Sequence, residues 1–361
     1  MAVLSRRPAV TSEVPQTRGG PVLDDRASSS RKLRWGILGP GRIAPRIVRA
    51  LEGNPRGELV AVAGRDPARA AAFAERHGGV ATHASFEALI DDPGIEVVYI
   101  ALPNSLHAEW TVRALDAGKH VLCEKPLAMT VDEVDAIIAA SERSGRIAAE
   151  AFMYLHHPQT LKALELARSG VLGTIRVVSA AFSFLLTYPN DPRVDPEVGG
   201  GSLWDVGCYP VSISRRIAGE EPADVAAFAR FDERGVDRTF VGQLRFPSGL
   251  LAHFESGFEA PDRQRYEIVG SEATLVVHSP FLPWPDGPAP RISLLRDGRE
   301  EAVEVESIDD YRAEVDDLQA AILDGTPPRV DLAFSRGGIA TLVALDRAAR
   351  AADPILAAAG G

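Results

Sequence analysis

A short segment near the start of the chain restricts the possible folds most strongly. The apolar run Leu33–Leu38 ends at Gly39, and the next residues have the spacing G-x-G-x-x-A up to Ala44, after which an apolar helical pattern continues to Leu51. The first glycine permits a tight turn, the second lets a ligand approach the backbone, and the small third residue lets the helix pack on the strand. The segment therefore predicts a strand, a pyrophosphate-binding turn and a helix.

The following part of the chain alternates between strand and helix patterns. Further strands are predicted at Glu58–Ala63, Glu96–Leu102, His120–Cys123 and Arg146–Ala149, and helices between them begin at Pro67, Ser105 and Val131. Strands that alternate with helices in this way form parallel sheets with right-handed crossover connections. We therefore predict an α/β dinucleotide-binding domain of the Rossmann type over residues 32–150.

The strand His120–Cys123 leads directly into Glu124-Lys125-Pro126. In open parallel sheets, ligands bind beyond the carboxyl ends of the strands, so we expect Lys125 to point into a binding site. A lysine at a strand end is most often a surface residue, but the glycine turn before it and an Asp/Tyr pair after it favour a functional role. Asn104 and His107 follow the neighbouring strand and are expected on the same edge, although His107 can also be an ordinary residue of the first helical turn.

The end of the second predicted strand carries Gly64, Arg65 and Asp66. At this position an acidic residue binds the 2′-hydroxyl of an adenosine ribose, whereas an arginine can hold a 2′-phosphate. Because Arg65 comes first and Gly64 leaves room beside it, the sequence favours NADP(H), with NAD(H) as the alternative. Asp66 can equally cap the helix that begins at Pro67.

Strand patterns dominate the chain after Glu150. The strands are predicted at Ile175–Leu185, Val225–Phe231, Arg238–Phe246, Leu250–Glu255, Arg265–Val269, Thr274–Val277 and Arg291–Arg296. Short turns between most of them indicate antiparallel pairing. Two helices, Tyr311–Asp324 and Phe334–Ala351, follow the strands. We predict an α+β domain over residues 151–361 with a large open, mostly antiparallel sheet, and the last helix can pack back on the first domain.

One face of this second sheet is expected to remain uncovered. We expect Val241, Leu244 and Phe246 to be exposed on it. Exposed apolar patches of this size usually mark an interface between protein chains. The sequence therefore predicts a homodimer or homotetramer that assembles through the sheet.

Gly199–Gly201 lead into a helical segment that carries Asp205 and Tyr209. Residues four apart on a helix share one face. A tyrosine hydroxyl can transfer a proton if a nearby cation lowers its pKa from about 10, and Lys125 is the expected cation. The alternative roles are helix capping for Asp205 and core packing for Tyr209.

Composition excludes several classes of function. The 361 residues carry a net charge of −11, which argues against a nucleic-acid partner. The two cysteines and the adjacent His156 and His157 lack the spacing of metal sites, so we expect no metal and a reducing compartment, the cytoplasm. No apolar run is long enough to span a membrane. Residues 1–31 lack apolar periodicity and the apolar core of an export signal, so we predict a disordered tail.

Four motifs together resemble one enzyme family. They are G-P-G-R-I-A at 39–44, P-N-S-L-H at 103–107, C-E-K-P at 123–126 and G-G-G-S-L-W-D-V-G-C-Y at 199–209. The chain is similar to the glucose–fructose oxidoreductase, inositol dehydrogenase and rhizopine catabolism family. Tyr209 stands where most members of this family carry histidine. In this respect the chain is similar to the branch that contains dihydrodiol dehydrogenase, NADP-dependent D-xylose dehydrogenase and sugar 3-ketoreductases.

The resemblance implies an NAD(P)-dependent oxidoreductase that transfers a hydride between nicotinamide and a carbinol or carbonyl carbon of a sugar or related polyol. It implies that Tyr209 transfers the proton, Lys125 lowers the pKa of that tyrosine, and Asp205 positions the substrate or Lys125. The implied cofactor-binding residues are Gly39, Gly41, Arg42, Ile43, Arg65, Leu102, Asn104, His107, Glu124 and Lys125. The implied substrate-binding residues are Tyr154, His157, Trp204 and Asp205.

Two other functions remain open from the sequence. One is a glycoside hydrolase that uses bound NAD for a transient oxidation, and such an enzyme would show no net turnover of NAD. The other is a non-catalytic dinucleotide-binding sensor. The presence of both Lys125 and Tyr209 argues against a sensor, because a sensor needs neither residue.

Overall fold

The computed structural model describes residues 31–188, 191–282 and 289–353. The tail predicted at residues 1–31 lies outside these ranges, except for its last residue. From Lys32 onward the chain is built on two β-sheets. Within the described ranges, no helix is both long and apolar enough to cross a membrane.

The first half of the chain forms a parallel sheet with the strand order β3-β2-β1-β4-β5-β6. Its strands are β1 (Leu33–Leu38), β2 (Gly57–Ala63), β3 (Ala81–His83), β4 (Val97–Ile100), β5 (His120–Glu124) and β6 (Ala148–Ala151). The strand order reverses between β1 and β4, and open α/β sheets bind ligands beyond the carboxyl ends of the strands at such a point. The glycine turn follows β1 and Lys125 follows β5, so both lie at this edge. The predicted Rossmann architecture is confirmed.

Helices connect these strands and begin at residues suited to helix starts. They are α1 (Ala44–Leu51), α2 (Pro67–Arg76), α3 (Phe86–Ile90), α4 (His107–Asp116) and α5 (Val131–Ser144). The side chain of Asp66 accepts the backbone N–H groups of Ala68 and Arg69, so it caps α2, as one of the two sequence alternatives proposed. Thr130 and Glu133 form a reciprocal capping box at the start of α5.

The second half forms a sheet with the strand order β14-β13-β12-β11-β7-β10-β9-β8. Its strands are β7 (Ile175–Leu185), β8 (Asp224–Phe231), β9 (Asp237–Arg245), β10 (Leu251–Gly257), β11 (Glu259–Gly270), β12 (Thr274–His278), β13 (Arg291–Arg296) and β14 (Arg299–Val303). The β7–β10 pair is parallel. The other neighbouring pairs are antiparallel, which confirms the mostly antiparallel sheet.

The remaining helices join the two sheets. They are α6 (Pro158–Arg168), α7 (Cys208–Ala218), α8 (Asp310–Asp324) and α9 (Leu332–Ala352). Helix α8 packs on α1, and α9 packs on both α5 and β8. Arg336 of α9 forms an ion pair with Asp135 of α5. The end of the chain therefore contacts elements of both sheets.

Three short elements escaped the sequence analysis. Strand β3 has three residues, helix α3 has five, and β14 consists mainly of charged residues. Each is too short or too polar to show a clear apolar period. Strand β14 forms the edge of the second sheet, where charged side chains discourage pairing with another chain.

The expected exposed face of the second sheet is only partly correct. Val241 is exposed, whereas Leu244 and Phe246 are buried at 2% exposure each. Successive side chains in a strand point to opposite faces, so Val241 and Leu244 of β9 cannot share a face. Phe228 of β8 lies exposed directly opposite Val241, while the exposed Leu251 of β10 lies farther along the sheet, opposite Arg245.

Candidate active site

Lys125 meets Asp205 at the carboxyl edge of the first sheet. The Nζ atom of Lys125 donates hydrogen bonds to the backbone oxygen of Asp205 at 2.7 Å and to its Oδ1 atom at 3.0 Å. The side chains are 13% and 19% exposed, so both remain within reach of a ligand. Burial alone would lower the pKa of Lys125, but the nearby charges of Asp205 and Glu124 outweigh burial and hold it above its ordinary value. Lys125 is therefore a permanent, oriented cation.

Asp205 and Tyr209 lie near each other, but Tyr209 does not have the predicted surroundings. Its ring lies 5.2 Å from Lys125 Nζ, measured to the ring centroid, so the lysine faces the ring. The hydroxyl group lies 3.8 Å from the sulfur of Met153. Four other aromatic rings surround Tyr209, those of Phe152, Tyr154, Phe182 and Phe281.

This aromatic environment corrects one prediction. We expected Lys125 to lower the pKa of Tyr209, but burial and the neighbouring Cys208 and Glu124 raise that pKa well above 10. The lysine lies over the ring and makes no hydrogen bond to the hydroxyl group. At neutral pH, Tyr209 is therefore protonated, and the raised pKa makes its hydroxyl group a weaker acid than that of a free tyrosine.

Glu124 and Tyr99 form a second contact behind the lysine. The hydroxyl group of Tyr99, which is fully buried on β4, donates a short hydrogen bond to Glu124 Oε1. Burial raises the pKa of Glu124, while the charge of Lys125 and this hydrogen bond act in the opposite direction. The sequence analysis missed Tyr99, because a tyrosine inside an apolar strand is usually a packing residue.

His107 is buried, and its ring bonds to two backbone oxygens. Its Nδ1 atom lies 2.7 Å from the backbone oxygen of Pro126, and its Nε2 atom lies 2.8 Å from that of Leu102. Burial lowers the pKa of His107. The ring therefore connects the segment after β4 to the segment after β5, and contact of His107 with the cofactor stays a prediction. Asn104 donates a hydrogen bond to the backbone oxygen of Gly199 at 2.9 Å and so links the two halves of the site.

A cavity of about 300 Å³ lies beside the glycine turn. Its lining residues are Gly39, Pro40, Gly41, Gly64, Arg65, Asp66, Arg69, Phe86, Ala101, Leu102 and Pro103. A Cβ atom at Gly39 would lie 2.5 Å from the backbone oxygen of Ala101, and Gly39 has φ +91°, so only glycine fits there. Pro40 approaches Gly64 so closely that a side chain at position 64 would not fit. Gly64 therefore makes room for Pro40, whereas the sequence analysis expected it to leave room beside Arg65.

This cavity suits the adenosine half of a dinucleotide. The glycine turn lines this cavity and presents its backbone to it. The exposed side chains of Arg65 and Arg69, which also line the cavity, supply positive charge for phosphate. Ile43 packs partly on the core at the start of α1. The guanidinium of Arg42 forms an ion pair at 2.7 Å with Asp191, a residue of the second half whose side chain is 2% exposed. Arg42 therefore crosses between the two halves in this structure.

The predicted substrate residues differ in their positions. Tyr154 is fully buried and its hydroxyl group is 2.7 Å from Ser212 Oγ, while His157 is fully buried and caps α6 through Nδ1. Both side chains thus bond to groups of the interior, and their contact with substrate stays a prediction. Trp204 is also largely buried, next to the partly exposed Asp205. Among residues 31–188, 191–282 and 289–353, no group of three or more His, Cys, Asp or Glu side chains is arranged to hold a metal.

Comparison with known proteins places these features in a family. Residues 33–152 match the family described as "Oxidoreductase family, NAD-binding Rossmann fold", and residues 160–276 match the "GFO/IDH/MocA C-terminal domain". A D-xylose 1-dehydrogenase (NADP(+)) from Haloferax volcanii is 39% identical over 300 residues, which cover 83% of this chain and 92% of that protein.

Two solved structures have the same fold. A 3-ketoreductase from Actinomadura kijaniata, in complex with NADP and TDP-benzene, has a TM-score of 0.83 at 32% identity and covers 88% of this chain and 98% of that one. An aldose–aldose oxidoreductase from Caulobacter crescentus, complexed with glycerol, has a TM-score of 0.82 at 30% identity and covers 90% of this chain and 99% of that one. This chain is therefore a member of the glucose–fructose oxidoreductase, inositol dehydrogenase and rhizopine catabolism family of NAD(P)-binding oxidoreductases.

Proposed function

We propose that this protein is an NADP(H)-dependent oxidoreductase that interconverts a carbonyl and a carbinol group on a sugar-like substrate. One observation carries the proposal. Lys125, which bonds to the backbone oxygen and to Oδ1 of Asp205, lies at the same sheet edge as the glycine turn and its cavity. A charged, partly exposed donor at this position can hold a substrate oxygen next to a bound dinucleotide. When bound, the nicotinamide supplies or accepts the hydride.

Lys125, Asp205 and Tyr209 each have a separate role in the proposed reaction. Lys125 Nζ donates a hydrogen bond to the reacting oxygen and stabilises negative charge on it. Asp205 orients Lys125 through two contacts and offers its second carboxylate oxygen to a substrate hydroxyl group. Tyr209 is protonated at neutral pH, and we assign to its hydroxyl group the proton that the oxygen receives during reduction.

Sugar-like substrates follow from the relatives. Their names include a D-xylose dehydrogenase, a dTDP-keto-sugar 3-reductase and an aldose–aldose oxidoreductase. These names describe oxidation or reduction of sugar carbon atoms that carry a hydroxyl or carbonyl group. A cation together with a carboxylate, as in Lys125 and Asp205, matches two neighbouring oxygens of such a substrate.

We further propose that the cofactor is NADP(H) and that Arg69 assists Arg65. Both arginines are exposed, both line the cavity, and they are four apart around the start of α2, so they can converge on one phosphate. The Oδ1 atom of Asp66 accepts the backbone N–H groups of Ala68 and Arg69. One oxygen of the residue that would select NAD(H) is thus engaged in capping α2.

Calorimetry with both cofactors tests this choice. We expect tighter binding of NADP(H) than of NAD(H) by the parent protein. Arg65→Ala should remove most of the difference, because a charge-assisted contact to phosphate contributes about 1.5–3 kcal/mol. Arg69→Ala should remove a smaller part. Arg76→Ala, at the far end of α2 where the side chain bonds only its own helix, should leave the ratio unchanged. Equal affinities of the parent for both cofactors would contradict the proposal.

The open face of the second sheet supports assembly into a homodimer or homotetramer. Phe228 and Val241 face each other on β8 and β9 and are 70% and 44% exposed, and Leu251 lies exposed on β10. The exposed pair Phe228 and Val241, with Leu251 farther along the same sheet, favours contact with a second copy. The two cysteines are buried free thiols, which supports a reducing compartment, and we propose the cytoplasm.

A screen of substrates tests the proposed reaction. NADPH with keto-sugars, and NADP⁺ with aldoses and polyols, should give nicotinamide absorbance changes that depend on the added sugar. Lys125→Met should abolish the activity while calorimetric binding of NADPH persists. A protein that retains NAD, cleaves glycosides and shows no net change in nicotinamide would instead be the hydrolase. Binding of NADPH without turnover of any sugar would favour the sensor.

A further inference from the structure

The backbone oxygen of Asp205 is free to bind Lys125 because the helix is widened there. Residues Leu203–Gly207 form a π-type turn, in which hydrogen bonds run from residue i to residue i+5, before α7 begins at Cys208. In that register the partner of the Asp205 oxygen is residue 210, which is proline and has no N–H group. The oxygen instead accepts from Lys125 Nζ at 2.7 Å and from Cys208 Sγ at 3.4 Å.

The start of this widened turn is held by a residue from a distant strand. Asp237, the first residue of β9, accepts the Ser202 hydroxyl group at 2.6 Å and the Leu203 backbone N–H at 2.8 Å, both through Oδ2. Asp237 is 2% exposed. Gly201 makes this approach possible, because a Cβ atom there would lie 2.2 Å from Asp237 Oδ1. Asp237 thus caps the turn in the way that carboxylates cap helices.

The surroundings of Asp237 contain little else that could hold the turn. Ser256 of β10 contacts the Ser202 hydroxyl group at 3.2 Å. Asp346 and Arg350 of α9 are the charged groups that influence Asp237 most, and they are paired with each other at 2.8 Å. Burial raises the pKa of Asp237, while its bonds to Ser202 and Leu203 lower it. The carboxylate is therefore directed at the turn alone.

We propose that Asp237 is a positioning residue for the active-site lysine. By capping the widened turn, it keeps the backbone oxygen and Oδ1 of Asp205 within hydrogen-bonding distance of Lys125 Nζ. Asp237 bonds to Ser202 and Leu203 at the start of the turn, Lys125 bonds to Asp205 within it, and the backbone of the turn joins these two sets of contacts. The kinetic part of this inference rests on the proposed function. The effect on Lys125 can be measured without any substrate.

The experiment compares Asp237→Ala with Asp237→Asn. Alanine removes the acceptor of both bonds, whereas asparagine keeps an oxygen at the Oδ2 position. The chain has only four lysines, at 32, 119, 125 and 162, so NMR of protein labelled with ¹³C at lysine Cε can follow Lys125 through a pH titration. Because the charge of Asp205 raises the pKa of Lys125, Lys125 of the parent should stay charged over the whole pH range in which the protein is folded, whereas Lys125 in Asp237→Ala should begin to lose its proton at lower pH. Asp237→Asn should behave like the parent.

A matched control separates positioning from general stability. Asp331 caps α9 through the Phe334 N–H at 2.7 Å, and neither residue contacts Lys125 or Asp205. Asp331→Ala should lower the melting temperature but leave the titration of Lys125 unchanged. In turnover assays, Asp237→Ala should lower kcat about 10- to 100-fold, as expected for a misplaced catalytic group, with the Kd for NADPH unchanged.

Each outcome decides the question. If Lys125 titrates in Asp237→Ala as in the parent, Asp237 has only a structural role and the inference is overturned. If Asp237→Ala does not fold, Ser202→Ala, which removes one of the two bonds, is read by the same criterion. If the titration shifts but the parent turns over no sugar, the proposed function fails and the positioning role of Asp237 stands.

Discussion

Replacement of Tyr209 by phenylalanine separates chemistry from structure at this site. The hydroxyl group is 3.8 Å from the Met153 sulfur, a weak acceptor, and the ring keeps its contacts with the surrounding aromatic residues. Loss of such a weak hydrogen bond should change the free energy of unfolding by less than about 1 kcal/mol. A large loss of turnover in Tyr209→Phe therefore cannot be ascribed to a damaged fold.

The expected kinetic effect is that of losing a positioned proton donor. Burial holds the pKa of Tyr209 well above 10, so the proton is present at neutral pH, and the alkoxide that forms during reduction is a stronger base than a phenolate and can take it. Loss of a positioned proton donor typically lowers the rate about 10²–10⁴-fold. The affinity for NADPH should be unchanged, because the glycine turn and Arg65 line a separate cavity.

Single-turnover oxidation of NADPH by a keto-sugar, followed by stopped flow, measures the effect. Lys125→Met should cost at least as much as Tyr209→Phe, because it also releases Asp205. The double variant should be little worse than the worse single variant, since groups that act as a unit are not additive. Turnover of Tyr209→Phe within about threefold of the parent would refute the assignment, and Lys125 would become the leading proton donor.

Three further predictions concern other parts of the molecule. Tyr99→Phe removes the donor to Glu124 and should weaken NADPH binding by about 0.5–1.5 kcal/mol in calorimetry, and an unchanged Kd would mean that Glu124 is held by other contacts. Phe228→Asp should convert the proposed oligomer into monomers in light scattering, with unfolding little changed because the side chain is 70% exposed, and a monomeric parent would contradict the proposed assembly. Burial raises the pKa of Glu150 to about 7, whereas its carboxyl group in the unfolded state has a pKa of about 4.5. Between these two values the folded state keeps a proton that the unfolded state has released. The free energy of unfolding should therefore fall by up to about 1.4 kcal/mol per pH unit as the pH rises. Glu150→Gln should make the slope shallower in urea unfolding measured between pH 5 and pH 7, with a remainder from Asp310, whose pKa burial also raises to about 7, and an unaltered slope would exclude Glu150 as a source.

Local patterns in the sequence were enough to define most of the fold. The run Leu33–Leu38 was predicted with its observed bounds, as was Ile175–Leu185, because both are apolar strands limited by polar or glycine-containing turns. The glycine turn and the alternation of strands and helices led to the parallel sheet, since these are properties of short segments and right-handed connections. The errors arose where a segment was short, as in β3, or where the face of a strand was misjudged, as at Leu244.

The active site needed the tertiary structure. The sequence singled out Lys125, Asp205 and Tyr209, but Lys125 and Asp205 are 80 residues apart, and the contact of the lysine with a backbone oxygen follows from a helix widened at one turn.

The pKa of Tyr209 depends on rings contributed by distant segments, such as Phe182 and Phe281, so no local pattern could show that burial dominates the effect of the lysine. The roles of Asp237 and His107 likewise depend on which backbone atoms the fold brings within hydrogen-bonding distance. The sequence by itself thus determined which residues can do the chemistry, because residue type and strand-end position are local properties. Only the tertiary structure decided their protonation and orientation, because burial and hydrogen bonding depend on neighbours from distant parts of the chain.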